Sequence, residues 1–222
     1  MIIFELVIHM GHKVVFGSTW QRFRFEYLYK KYREQGKLIE FNQEFYDRFE
    51  DMYYNGLPIY YYLEKMSMGK CYDASAILSL AMGKESYVCR GELANMTIIY
   101  DDEDGFGHGW VEVGDMVYDT TWKIMCSKKV YNQLFKPIDV SRRSHEQFFE
   151  DCKEMSDWTI RSKKWYEENF SMSNLLIFQV EQIERLKLSN PNISEESKAF
   201  SNKVLSDLPK YKSLCDVEVI KK

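Results

Sequence analysis

Three residues of this 222-residue chain have the types and surroundings of an activated nucleophile. Cys71 opens an apolar helical pattern, His108 opens a strand pattern, and Asp119 lies on the next strand. A cysteine attacks as its thiolate. It needs a base to hold the displaced proton and return it to a leaving group, and the base needs a third group to fix its tautomer and orientation. A thiol, an imidazole and a carboxylate meet that need, and the chemistry they would carry out is attack on an acyl carbon. The helix start matters because its unpaired backbone N–H groups and the helix dipole stabilise a thiolate and donate to a developing oxyanion. The plainer alternative is that Cys71 is a small buried hydrophobe, as most free cysteines are.

The elements that must position these groups can be read from periodicity. Met68-Gly69-Lys70 interrupts the preceding pattern, and a helix is predicted from Cys71 with Ala74, Leu78 and Ala81 on one face and Gly83 as its stop. Strand-like runs follow at Tyr87–Glu92, Met96–Tyr100, Gly109–Val113 and Met116–Asp119. Gly114-Asp115 between two of them reads as a tight turn, which makes His108 face a position near Thr121 and brings Asp119 within a residue or two of it. The acidic run 101–104 lacks the spacing of a calcium loop and reads as a solvated turn.

Upstream, residues 2–9 and 13–16 suggest a short hairpin. A helix is predicted from Ser18 to near Gly36, with Trp20, Phe23 and Tyr27 on one stripe and Phe25, Leu28 and Tyr32 beside it. Phe41, Phe45, Phe49 and Tyr53 repeat every four residues after a possible cap at Asn42 and predict a second amphipathic helix, closed by Gly56. A third, short helix opens at Leu57-Pro58 with Ile59, Tyr62, Leu63 and Met66 on one face. Tyr62, Tyr72 beside the nucleophile and Trp110 on the histidine strand are candidate substrate-binding residues. Beyond Trp122, residues 123–143 look irregular, helices are predicted over about 144–155, 158–188 and 194–207, and Asn190-Pro191 breaks the last two apart. Met172, Leu176, Val180, Ile183 and Leu186 keep helical spacing.

Composition narrows the function classes. Residues 1–125 carry 13 basic against 19 acidic side chains and 126–222 carry 17 against 15, so neither part has the basic excess of a nucleic-acid binder. Cys71, Cys89, Cys126, Cys152 and Cys215 are scattered without a CxxC pair, which disfavours a zinc site and a disulfide framework and fits a reduced, cytoplasmic setting. His9 and His12 lack accompanying carboxylates, and His145 has no evident partners. No metal, cofactor or membrane association is expected, and no apolar stretch approaches the roughly 18 to 20 residues of a membrane helix. With 45% hydrophobic and 16% aromatic residues, the chain can bury a sizeable core and is expected to form one domain.

The four motifs together resemble the transglutaminase-like superfamily: Gly69, Cys71, Asp73 and Ala74, then Arg90-Gly91, then His108-Gly109-Trp110-Val111-Glu112-Val113, then Tyr118-Asp119-Thr120-Thr121-Trp122. The likeness covers about residues 69–122. It implies an α+β fold with a papain-like core over about 57–125, with the Cys71 helix on an antiparallel sheet, an N-terminal helical part over about 1–56 and a C-terminal one over about 144–208. It also implies Cys71, His108 and Asp119 as nucleophile, base and orienting carboxylate of an enzyme acting on peptide or protein amides, hydrolysis being preferred to crosslinking. A non-catalytic binding or scaffold domain on the same fold is the alternative.

Overall fold

The computed structural model describes residues 4–7, 13–54, 56–65, 71–99, 107–144, 146–148, 160–188 and 193–219. His9, His12, Met66, Met68, Gly69, Lys70, the acidic run 101–104, His145, Cys152, Asn190 and Pro191 lie outside the described residues. The chain divides into two compact units, one of residues 1–48 and 67–155 and the other of 49–66 and 156–222. The span 57–125 therefore begins in the second unit and continues in the first. All three candidate catalytic residues belong to the first.

In the first unit, β1 (Phe4–Val7) and β2 (Lys13–Phe16) form the expected hairpin, and β2 also pairs with β7 (Thr97–Ile99). α1 (Thr19–Glu34) starts at Ser18, whose side chain accepts from the Gln21 N–H, and is followed by Gly36 at a positive φ of 64°. Its inward side is the Phe25, Leu28 and Tyr32 stripe, with Tyr29, while Trp20, Phe23 and Tyr27 face solvent. Phe25 meets Phe16, Trp122 and Phe135 at ring separations of 5.3–5.6 Å. This aromatic cluster is the centre of the core.

A six-stranded antiparallel sheet carries the site. Its spatial order is β11 (Pro137–Ser144), β6 (Ser86–Leu93), β8 (His108–Val113), β9 (Met116–Asp119), β10 (Ile124–Ser127) and β3 (Leu38–Glu40). The turn at Gly114-Asp115 closes β8 on β9 with Val113 opposite Met116 and Val111 opposite Tyr118, the register that the turn predicts. α4 (Cys71–Met82) packs on β6 and β8. It is buried almost all round, at Cys71, Ala74, Ser75, Ala76, Ile77, Leu78 and Ser79, as a central helix must be. Its far end is fixed by a buried contact of 2.6 Å between the Ser79 and Ser86 hydroxyls, while Ser86 Oγ also donates to the Gly83 carbonyl.

Three local departures from the sequence reading have physical reasons. Residues 123–143 are regular, forming β10, the helix α5 (Lys128–Phe135) and β11. Ser127 caps α5 through the Val130 N–H, and Lys136 ends it in the left-handed region without a glycine to mark the stop. The helix predicted from Phe41 to Tyr53 is only α2 (Gln43–Asp47), capped by Asn42. Phe49 and Tyr53 keep the four-residue spacing but fall in the second unit, where β4 (Met52–Tyr54) pairs with β5 (Leu57–Pro58) and β12 (Ile160–Ser162). Finally, the long helix of 158–188 is β12, α6 (Lys163–Asn169) and α7 (Met172–Leu188). Ser162 and Ser171 each accept from an N–H three residues ahead, so two serine caps start two helices.

The rest of the second unit is α3 (Ile59–Lys65) and α8 (Glu195–Val219), which packs on α7. Met172, Leu176 and Val180 are exposed, and the last two line a groove with Val204, Leu208 and Tyr211. Leu175 is the buried apolar residue of α7.

Candidate active site

Asp119 ends β9 fully buried, and all four of its acceptor directions are used. Oδ1 accepts from the Thr121 and Trp122 backbone N–H groups, both at 3.0 Å. Oδ2 accepts from His108 Nε2 at 2.6 Å and from the Tyr131 hydroxyl at 2.8 Å. A buried carboxylate needs such a set of donors to remain ionised in a site from which water is excluded. Two come from the turn after β9, one from α5, and one from the histidine.

His108 is 1% exposed and Asp119 0%. The pairing follows from the hairpin: continuing the register past Val111 and Tyr118 makes His108 a diagonal neighbour of Asp119 on the same face. With Nε2 donating to the carboxylate, the neutral ring leaves Nδ1 as its basic nitrogen. Nδ1 is buried and has no hydrogen-bond partner of its own. Burial lowers the imidazole pKa, but the Asp119 charge and hydrogen bond, together with the Cys71 thiol, outweigh it and raise the pKa well above its ordinary value.

Cys71 is the first residue of α4 and 6% exposed. Burial pushes its thiol up, yet the nearby His108 imidazole and the Gly109 N–H hold it below the ordinary cysteine range. The two shifts run in opposite directions, the thiol down and the imidazole up. Close approach of helix to strand is what allows both. A Cβ on Gly109 would stand 3.1 Å from Tyr72 Cα and 3.2 Å from both the Tyr72 nitrogen and the Cys71 carbonyl oxygen, closer than ordinary van der Waals contact, so glycine lets the helix start rest closely on β8.

Of the candidate substrate-binding residues, Tyr72 lies beside the triad, its ring edge-on to Phe148 at 5.7 Å and under the Arg90 guanidinium at 5.6 Å. Trp110 is buried, stacked between His108 at 6.1 Å and Tyr131 at 5.5 Å, so it walls the base in. Tyr62 belongs to the second unit, buried against Tyr54. Sequence reasoning missed Tyr131. The signal was present in Ser127 followed by Val130, Tyr131, Leu134 and Phe135, a cap followed by an apolar stripe at helical spacing.

Among the described residues, no group of three or more His, Cys, Asp or Glu is placed to hold a metal ion, and no helix is long and apolar enough to cross a membrane. No protein-family model, no curated protein and no solved structure matches this chain.

Proposed function

We propose that the protein is a cysteine-dependent amide hydrolase or acyl transferase of the transglutaminase-like type, with a papain-like core, acting on a peptide or protein amide. The observation that carries this reading is the 2.6 Å bond between two fully buried groups, His108 Nε2 and Asp119 Oδ2, beside a thiol whose pKa is depressed in spite of burial. Structural cysteines in apolar surroundings shift the other way.

The reaction begins with the Cys71 proton on His108 Nδ1. The thiolate attacks the amide carbon, and the first-turn N–H groups of α4, which have no intrahelical partners, are placed to donate to the oxyanion. Collapse of the tetrahedral adduct breaks the C–N bond. Nδ1–H then protonates the departing amine, leaving a thioester on Cys71. Water or a second amine, deprotonated by His108, resolves the thioester to an acid or a new amide. Asp119 holds the ring orientation throughout. A reduced nucleophile of this kind fits a cytoplasmic setting.

A second reading, a binding or scaffold domain with an unused triad, draws on the 6% exposure of Cys71. Limiting iodoacetamide at about pH 6 separates the two. An active thiolate is carboxamidomethylated well before the other four cysteines, as read by peptide mapping. A Cys71 that stays unmodified while others react ends the catalytic reading.

A further inference from the structure

Arg90 stands next to the nucleophile and, among the described residues, has no counter-ion. On β6 it pairs directly with Gly109, the residue whose N–H meets the Cys71 thiol and whose Cα face rests on Cys71 and Tyr72. Directly paired residues project to the same face of a sheet, here the face covered by α4. Accordingly the Arg90 guanidinium lies over the Tyr72 ring at 5.6 Å, and Tyr72 is itself held by Phe148. On its other side, a Cβ on Gly107 would come within 3.3 Å of Arg90 Nε, so the chain entering β8 leaves room for the guanidinium and little more. The guanidinium thus lies between the Gly107 backbone and the Tyr72 ring, open to solvent, beside the first turn of α4.

Two neighbouring cations share one carboxylate. Lys128 and Arg142 both bind Glu112 at 2.8 Å, and Arg142 also covers Tyr87. Arg90 is exposed and, among the described residues, makes no ion pair. A guanidinium held in one place presents a planar fork of donors that suits a carboxylate.

We infer that Arg90 and Tyr72 form an acyl-side subsite and that the substrate amide carries a carboxylate a few bonds from its scissile carbonyl, as succinyl, aspartyl or glutamyl amides do. This inference rests on the reading of Cys71 as the nucleophile and adds the class of acyl group. The tyrosine face supplies apolar contact for the methylenes between the two carbonyl groups, and the guanidinium sets their register on the thiolate.

The test compares two alkylating reagents of nearly equal size, iodoacetate and iodoacetamide. Each forms a C–S bond at Cys71 with loss of iodide, and they differ in bearing a carboxylate or a neutral amide next to the attacked carbon, so their rate ratio reads the charge that the site presents beside the thiolate. In Arg90→Gln the ratio of the iodoacetate to the iodoacetamide rate at Cys71 should fall about three- to tenfold, the range for losing one partly screened charge several ångströms away. Arg90→Lys should hold the ratio within about twofold of the original, and high salt should shrink the difference between wild type and Arg90→Gln. A ratio unchanged in Arg90→Gln, with Cys71 still selectively alkylated, overturns the subsite and leaves the nucleophile standing. Silence of Cys71 toward both reagents in the unmutated protein removes the nucleophile, and the subsite with it.

Discussion

Cys71 and Cys126 are both buried thiols of one unit, and both feel the same carboxylate, yet they lie at opposite ends of thiol chemistry. Burial, with the Asp119 charge adding to it, pushes Cys126 up to about 12. Cys89, buried near Glu112, also reaches about 12. Asp119 raises Cys71 as well, but His108 stands between them and converts the influence of the acid into that of a base. What sets Cys71 apart from Cys126 and Cys89 is the adjacent imidazole, because the carboxylate by itself raises a thiol.

The comparison is broken most completely at His108. In His108→Ala, Cys71 keeps its burial and loses its counter-charge, so its pKa should rise to join those of Cys89 and Cys126. At pH 6 a thiol of ordinary pKa is well under 1% ionised, and the alkylation rate at Cys71 should fall by about two orders of magnitude. Peptide mapping after timed labelling reads this directly, and a rate within a few fold of the original would separate the thiol from the histidine. The pH dependence has a definite sign. Reactivity in the unmutated protein should climb as pH rises through the lowered Cys71 pKa, while Cys89 and Cys126 remain silent across neutral pH.

A smaller effect is expected at Gly109. The methyl of Gly109→Ala would meet backbone atoms of Cys71 and Tyr72 at 3.1–3.2 Å, and backbone cannot rotate away as a side chain can. Overpacking of this kind costs about 1–3 kcal/mol. The helix start should be pushed off β8, lowering the thermal midpoint by several degrees and the Cys71 rate by about tenfold, with Cys89 and Cys126 still protected. Unchanged labelling would mean that the contact does not set the thiol position.

The smallest effect sharpens the comparison. Tyr131→Phe removes one neutral donor from Asp119 Oδ2 and leaves His108 alone on that oxygen. A carboxylate with fewer donors holds an imidazolium more tightly, so the already raised His108 pKa should move further up, by less than one unit. Stability should fall by about 1 kcal/mol. Ring-proton NMR titration of His108 measures the shift, and a downward shift would contradict the assigned hydrogen bond.

Much of the positioning was legible because it is local. Ser18 and Asn42 cap the helices that follow them, Gly83 follows α4 at a positive φ of 86°, and Gly114-Asp115 fixes the β8–β9 register on which the His108–Asp119 contact depends. What escaped depends on distant partners or on weak periodicity. β11 is exposed along most of its length and carries an irregularity between Ile138 and Ser141, so neither alternation nor spacing marks it as a strand. α5 is eight residues long, too short for its stripe to stand out, and with it went Tyr131. The four-residue repeat from Phe41 to Tyr53 is satisfied by a short helix and then by a strand in another unit, an outcome that periodicity alone cannot distinguish from one helix.

The serine contact at the far end of α4 has a mechanical consequence. The helix is a cantilever: Ser79 and Ser86 clamp one end, and the reacting sulfur is carried at the other. From Ser79 to Cys71 the arm is eight residue steps, about 12 Å long. A swing of about 5° at the clamp would therefore carry the sulfur about 1 Å, a displacement of the size that can cost a reaction about a hundredfold. On the proposed reading of Cys71 as the nucleophile, two hydroxyl groups far from the sulfur thus help to set its position.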